Sequence, residues 1–275
     1  MYLDYYKLKE NPFNVTSDPS FLFLGHAHKE ALSHLLYGIK EKKGFLEITG
    51  EIGAGKTTLC KALLKKLDPG TKTAFILNSN LSEMQLLQAI LEDFGITVQK
   101  KSKISFFKGL NDFLLEECRK NSNAVLILDE AQNIKSSTLE GIRLLSNLET
   151  DKEKLFQIVL VGQPELREKL NSPELAQLRQ RIAVRYHVNP LEKDEVRQYI
   201  LHRLSVAGGA GDIIFTDEAI EKIFEYSGGI PRLINLACDK ALLAGFVAET
   251  RSINRDIVEK SVCELEGKPA EVVRV

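Results

Sequence analysis

Apolar residues recur along this chain with two periods, and the alternation between them sketches the fold. Residues 27–43 place Ala31, Leu32, Leu35, Leu36 and Ile39 at spacings of three and four, which predicts one face of a helix. Gly44–Thr49 reads as a short buried strand, followed by Leu59, Ala62, Leu63 and Leu67 at helical spacing. Thr73–Leu77 predicts a second strand, and Ser82-Glu83-Met84-Gln85 a capping box that opens the next helix. Ile104–Cys118 predicts a further helix. Ala124–Asp129 is apolar up to its last residue, as a strand at the centre of a parallel sheet requires. Ser137-Thr138-Leu139-Glu140 predicts the cap of a helix reaching Leu148, and Leu155–Val161 another strand. Pro164 and Pro173 each suit a first helical turn. Ile182–Val188 alternates Ile182, Val184, Tyr186 and Val188 as a last strand.

After Asn189-Pro190-Leu191 the strand signals stop. Helices are predicted over 192–206, 217–226, 231–247 and 255–265. Alternating β and α units followed by helices alone predict a three-layer α/β core with a parallel sheet, over residues 1–190, and a small all-helical subdomain over 191–265. The aromatic, turn-rich residues 1–25 are expected to pack on the core, and residues 266–275 to form a disordered tail.

The chain has 275 residues, 44% of them hydrophobic and 27% charged, the balance of a water-soluble globular protein. A formal net charge of −1 gives no global attraction to nucleic acid or anionic lipid. The basic runs Lys40/Lys42/Lys43, Lys65/Lys66 and Lys100/Lys101/Lys103 read as solvated helix ends or loops. Cys60, Cys118, Cys238 and Cys263 are far apart and suggest free thiols of a reducing compartment. No signal-peptide pattern opens the chain and no apolar run reaches the roughly 20 residues of a membrane span, so a cytoplasmic location is expected.

The chemistry concentrates in Gly50-Glu51-Ile52-Gly53-Ala54-Gly55-Lys56-Thr57-Thr58. This is the G-x-x-x-x-G-K-T phosphate-binding P-loop. Its glycines let consecutive backbone N–H groups curl round a polyphosphate. Lys56 would reach the β- and γ-phosphates of ATP, and the Thr57 hydroxyl would ligate Mg²⁺. The helix beginning there points its positive end at the phosphates. Strand, loop and helix in that order is the context the motif needs.

Leu126-Ile127-Leu128-Asp129-Glu130 has the form of a Walker B element. Asp129 would hold the Mg²⁺ shell, and Glu130 would orient and deprotonate the attacking water. Gln163, just past the next strand, faces the same sheet edge; its amide either contacts the γ-phosphate or the lytic water, or caps the helix at Pro164. Arg179 and Arg181 precede the last strand. They read either as partners of internal salt bridges or, Arg181 above all, as an arginine finger entering a neighbouring subunit's site; Arg185 is a third candidate. Gly228-Gly229-Ile230-Pro231-Arg232 starts a helix, setting Arg232 on a first turn where a cation is disfavoured without an anionic partner. His26 and His28 stand two apart and so point to different faces of a helix, which argues against a metal pair. Packing near the nucleotide base is the alternative.

Together these elements resemble an AAA+ ATPase. The runs Asn11-Pro12-Phe13, Asp18-Pro19-Ser20-Phe21, Gly44-Phe45, the P-loop, Asp129-Glu130-Ala131-Gln132, Val161-Gly162-Gln163-Pro164-Glu165-Leu166 and Gly229-Ile230-Pro231-Arg232-Leu233-Ile234-Asn235 are similar to the general secretion pathway protein A family and its exosortase- and exopolysaccharide-linked relatives. The match covers residues 1–265. The resemblance implies sensor roles for Gln163 and Arg232. It also implies ATP-dependent homo-oligomers, a hexamer among the ring sizes, and an envelope secretion or polysaccharide export partner. Gln163 stands where AAA+ proteins more commonly carry Asn, Thr or Ser, though Gly-Gln-Pro suits this branch. Longer members continue into a membrane segment and a periplasmic wall-binding domain. This chain is expected instead to reach the inner membrane peripherally, through a partner. The competing function is an ATP-dependent DNA-binding regulator of the transposition-ATPase type, against which the near-neutral charge counts. A nucleotide switch with negligible turnover is a third reading, opposed by Glu130 and Arg181.

Overall fold

The computed structural model describes residues 2–15, 18–77, 81–149, 153–209 and 211–268. In chain order the regular elements are α1 (Tyr2–Tyr5), α2 (His26–Lys40), β1 (Phe45–Gly50), α3 (Lys56–Lys66), β2 (Lys72–Ile76), α4 (Glu83–Asp93), α5 (Lys103–Arg119) and β3 (Ala124–Leu128). They continue with α6 (Ser136–Leu145), β4 (Phe156–Gly162), α7 (Pro164–Leu170), α8 (Ala176–Arg179) and β5 (Ile182–Val188). After these come α9 (Lys193–Val206), β6 (Ile214–Phe215), α10 (Asp217–Ser227), α11 (Pro231–Val247), β7 (Ser252–Ile253) and α12 (Arg255–Leu265). The chain divides into two compact units, one of residues 28–51 and 59–188, the other of residues 1–27, 52–58 and 189–275.

The larger unit is built on a parallel sheet in the order β2-β3-β4-β1-β5. Strand residues alternate between its faces. Leu126, Leu128, Phe156, Ile158 and Leu160 share one core with the helix residues Ile90, Leu110, Leu139 and Leu166. Val125, Ile127, Val159 and Val161 face the other way and are equally buried. On that side α2 lies so close that a Cβ on Gly38 would stand 2.3 Å from Leu46 Cδ2. Helices therefore cover both faces, the expected three-layer α/β arrangement. The strand order departs from chain order at β1, which β4 and β5 flank. In open α/β sheets ligands bind beyond the carboxyl ends of the strands at such a point.

The smaller unit has its own core. Val196, Ile200, Ile220, Ile223, Ile234, Leu242 and Val258 are buried together with Tyr6, Leu8, Phe13 and Phe21. This corrects the expectation for residues 1–25: their aromatic side chains complete the helical unit, not the core around the sheet. Arg203, itself buried, pins the segment. Its guanidinium donates to the carbonyl oxygens of Pro12 and Asn14 and to the Tyr199 hydroxyl, and lies over the Phe21 ring. The desolvated guanidinium thus finds acceptors and an aromatic face together, as a buried charge requires.

Two further expectations are corrected. The smaller unit is not all helical, because β6 and β7 form a two-residue parallel pair. The cap at Ser137 is also displaced: Ser137 lies inside α6, whose N-cap is Lys135 with no side-chain cap bond. That helix stops at Leu145 and not Leu148, since the Ser146 hydroxyl turns back to bond the Arg143 carbonyl. The capping box at Ser82 forms with both its bonds. Of the expected tail, residues 269–275 lie outside the described residues.

Candidate functional site

The P-loop leaves the carboxyl end of β1, a strand buried at every residue. Gly53 and Gly55 take φ of +82° and +90°, a backbone region open to glycine and strained for other residues. Ile52 at the loop's crown is exposed, whereas Ala54 and Lys56 are buried and Thr57 and Thr58 are half-buried. Lys56 is the first residue of α3. A buried ammonium there works against the helix dipole, an arrangement that suits a site made to receive an anion.

Arg232 stands beside this loop within the smaller unit. The Gly229 carbonyl (φ +81°) accepts from the Leu191 N–H, and a Cβ at Gly229 would lie 1.9 Å from the Leu191 carbonyl oxygen. That contact fixes where α11 begins. Pro231 takes its first turn, and the Arg232 N–H donates to the Gly53 carbonyl at 3.3 Å. Arg232 itself is exposed.

A second group of polar residues forms where β3 and β4 end, within the larger unit. Asp129 is 1% exposed. Its N–H continues the sheet to the Ile76 carbonyl at 2.9 Å, and its Oδ1 accepts from the Glu130 N–H at 2.9 Å. Glu130 adopts a left-handed backbone, φ 53° and ψ 37°, which costs a residue with a Cβ about 1–2 kcal/mol. Non-glycine residues held this way cluster at functional sites. Two amides converge on Glu130 Oε2: Gln132 Nε2 at 2.5 Å and Gln163 Nε2 at 3.2 Å. Gln132 Oε1 also accepts from the Gln163 N–H at 3.1 Å. Gly162 is needed for this approach, because a Cβ there would lie 2.7 Å from Gln132 Oε1. Gln163 makes no side-chain cap bond to α7; its amide turns to the acidic group instead. Gln132 is the residue that pattern reasoning left without a role.

The three arginines near β5 separate by partner. Arg185 Nε stands 3.2 Å from Glu47 Oε2, a carboxylate buried in β1. Burial pushes the Glu47 carboxyl above the ordinary glutamate range, and Arg185 and Arg167 only partly offset it. Arg179 donates to the Asn171 carbonyl. Arg181 donates to Ser146 Oγ at 2.9 Å and Asn147 Oδ1 at 2.5 Å. It has no carboxylate within ion-pair distance among the described residues. His26 is exposed and His28 buried at the start of α2, so the two do not share a face. Among the described residues no group of three or more acidic, histidine or cysteine side chains could hold a metal by itself. All four cysteines are free thiols, and no helix among the described residues is long and apolar enough to cross a membrane.

Known proteins bear on this geometry. Residues 39–170 match a family described as AAA domain. The chain is 42% identical over 268 residues to general secretion pathway protein A of Aeromonas hydrophila, covering 97% of this chain and 49% of that protein. It thus spans about half the length of that relative. Among solved structures, Cdc6p from Pyrobaculum aerophilum aligns with a TM-score of 0.67 at 20% identity, covering 87% of this chain and 67% of the other. The ORC2 protein of Aeropyrum pernix, solved with ADPNP and ADP, aligns at 0.63 and 20% identity, covering 89% and 71%. At that identity the structural likeness speaks for the fold. The five-stranded parallel sheet, the P-loop sequence that follows β1 and the similarity over 97% of this chain agree: the chain has an α/β fold of the AAA+ type and is similar to general secretion pathway protein A over the half of that protein it spans.

Proposed function

We propose that the chain is a Mg²⁺-dependent ATPase that hydrolyses ATP as a homo-oligomer and powers or regulates assembly of an envelope secretion or polysaccharide export system. The observation that carries the hydrolytic part is the cluster on Glu130. A carboxylate in a strained backbone, oriented by two amides at the carboxyl ends of adjacent parallel strands, is a base prepared for a reaction.

The residues present fit ATP and Mg²⁺. Gly53 and Gly55 hold the backbone in a turn that a Cβ would disturb, and Lys56 sets its ammonium at a helix start. The Thr57 hydroxyl and the Asp129 carboxylate are hard oxygen donors of the kind Mg²⁺ takes. Bound Mg²⁺ would neutralise charge on the transferring phosphoryl group. The loop N–H groups from Gly50 to Thr58 cradle the phosphates, and Lys56 compensates their charge. Glu130 orients the water and takes its proton. Gln163 and Arg232 read the state of the γ-phosphate, the first from the end of β4, the second from the first turn of α11. Arg181, whose hydrogen-bond partners among the described residues are the neutral Ser146 and Asn147, serves a neighbouring subunit.

The domains follow the same reading: a nucleotide-binding core ending at residue 190 and a lid from 191 to 265, with residues 1–25 contributing their aromatic side chains to the lid and not to the core. The export partner rests on the resemblance to general secretion pathway protein A and on nothing in the site itself. The test is the steady-state ATPase rate per subunit against protein concentration, with and without duplex DNA at about 0.1 M salt. A rate that rises with concentration and ignores DNA supports an oligomeric envelope ATPase. A rate that stays low until DNA is added, and falls steeply with salt, overturns it in favour of the transposition-regulator class.

A further inference from the structure

The carboxylate of Glu130 is held by a residue to which no motif above gives a role. Gln132 sits two residues on, in a short 3-10 turn of residues 131–133. Its amide is used at both ends: Nε2 donates to Glu130 Oε2 at 2.5 Å, and Oε1 accepts from the Gln163 N–H at 3.1 Å. Chemistry fixes this orientation. An ionised carboxylate can only accept and a backbone N–H can only donate, so the amide cannot be turned round without losing both bonds. The turn carrying Gln132 is itself fastened, since the Lys169 ammonium donates to the Gln132 and Ile134 carbonyls. The glycine at 162 leaves the room in which the amide lies.

We propose that Gln132 is a positioning residue for hydrolysis: it ties Glu130 to the end of β4 and so sets the base and Gln163 in one frame. The proposal rests on the ATPase reading above. Gln163 has a competing duty in that reading, because a side chain that senses the γ-phosphate must shift with nucleotide state. Its bond to Glu130, at 3.2 Å, is the longer of the two. Gln132 bonds the Gln163 backbone and not its side chain, so it can hold Glu130 while the Gln163 amide moves. Glu130 occupies a backbone conformation that its own side chain disfavours, and a second anchor keeps it there. The role is separable from nucleotide binding, since Gln132 touches neither the P-loop nor Asp129 through any bond described above.

The experiment compares wild type, Gln132→Met, Gln132→Ala and Lys56→Ala in steady-state ATP hydrolysis, with nucleotide affinity and melting temperature measured on the same preparations. Gln132→Met keeps the side-chain length and removes both bonds, which guards against a simple folding defect. The expected result is a fall in kcat of about ten- to a hundredfold, the range that small misplacement of a catalytic group produces. KM and nucleotide affinity should stay within about twofold. In a Glu130→Gln background, Gln132→Met should cause no additional loss, because the base it positions is gone. Hydrolysis that depends on Lys56 but is unchanged by Gln132→Met overturns the inference alone. A loss shared between kcat, affinity and melting temperature in both Gln132 variants also overturns it, in favour of a structural role. Wild type without Lys56-dependent hydrolysis overturns the ATPase reading and this inference with it.

Discussion

A Cβ built on Gly53 would stand 2.5 Å from the Cβ of Arg232. The apex glycine of the P-loop is therefore required twice, once by its φ of +82° and once by the first turn of α11, whose Arg232 N–H donates to the Gly53 carbonyl. The loop's conformation and the position of the arginine are one structural fact. Any group that moves Gly53 moves the start of α11.

Gly53→Ala should accordingly do more than an ordinary P-loop substitution. It adds left-handed strain of about 1–2 kcal/mol and forces Arg232 away. Nucleotide affinity is expected to fall about tenfold or more, the equivalent of that strain, measured by titration with a fluorescent nucleotide. Arg232→Ala relieves the long side chain but leaves its Cβ, so it should not rescue Gly53→Ala.

Glu47 makes stability depend on pH in an unusual sense. Its folded carboxyl titrates above the ordinary value near 4.5, chiefly because burial disfavours the charge. Glu47 Oε2 has no hydrogen-bond donor among the described residues although Arg185 is near it. Between the ordinary and the raised value the folded state keeps a proton that the unfolded chain has released. The contribution of Glu47 to stability therefore falls as pH rises through that window and levels off above it. Glu47→Gln should remove this slope and equal or exceed wild type at pH 7 by up to about 1 kcal/mol. Urea melts from pH 4 upward, on both proteins, check it.

Arg181 and Arg185 should separate cleanly. Arg181→Ala loses bonds to neutral Ser146 and Asn147 and should change stability by about 1 kcal/mol. It should nevertheless abolish the concentration-dependent part of turnover, an effect of roughly 10³ or more. Arg185→Ala should destabilise at neutral pH by about 3 kcal/mol, because it leaves the buried Glu47 charge uncompensated. Mixing Arg181→Ala with Glu130→Gln subunits should restore part of the activity, since Arg181→Ala supplies the base and Glu130→Gln the finger.

Much of the fold was legible because its signals are local. Ala124–Leu128 is apolar at every position and buried at every position, and the P-loop carries its chemistry in consecutive residues. The limits of β5, α11 and α12 follow from alternation, a proline and a helical stripe. What was not legible depends on partners distant in sequence. The aromatic residues of 1–25 announce burial but not against which core; Arg203, far along the chain, decides it. The β6–β7 pair has two residues in each strand, too few for any period. The end of α6 is set by a hydroxyl bond of Ser146, to which Arg181 adds its own. Gln132 was visible in the run Asp129-Glu130-Ala131-Gln132, yet an amide has no role until its two neighbours are in place.

The most direct test of the account is to separate binding from hydrolysis with Glu130→Gln and Lys56→Ala, using single-turnover conditions with ATP and Mg²⁺. The account predicts that Glu130→Gln holds ATP at near wild-type affinity while the chemical step falls by about 10²–10⁴, and that Lys56→Ala loses binding. Hydrolysis by Glu130→Gln at the wild-type rate would contradict it.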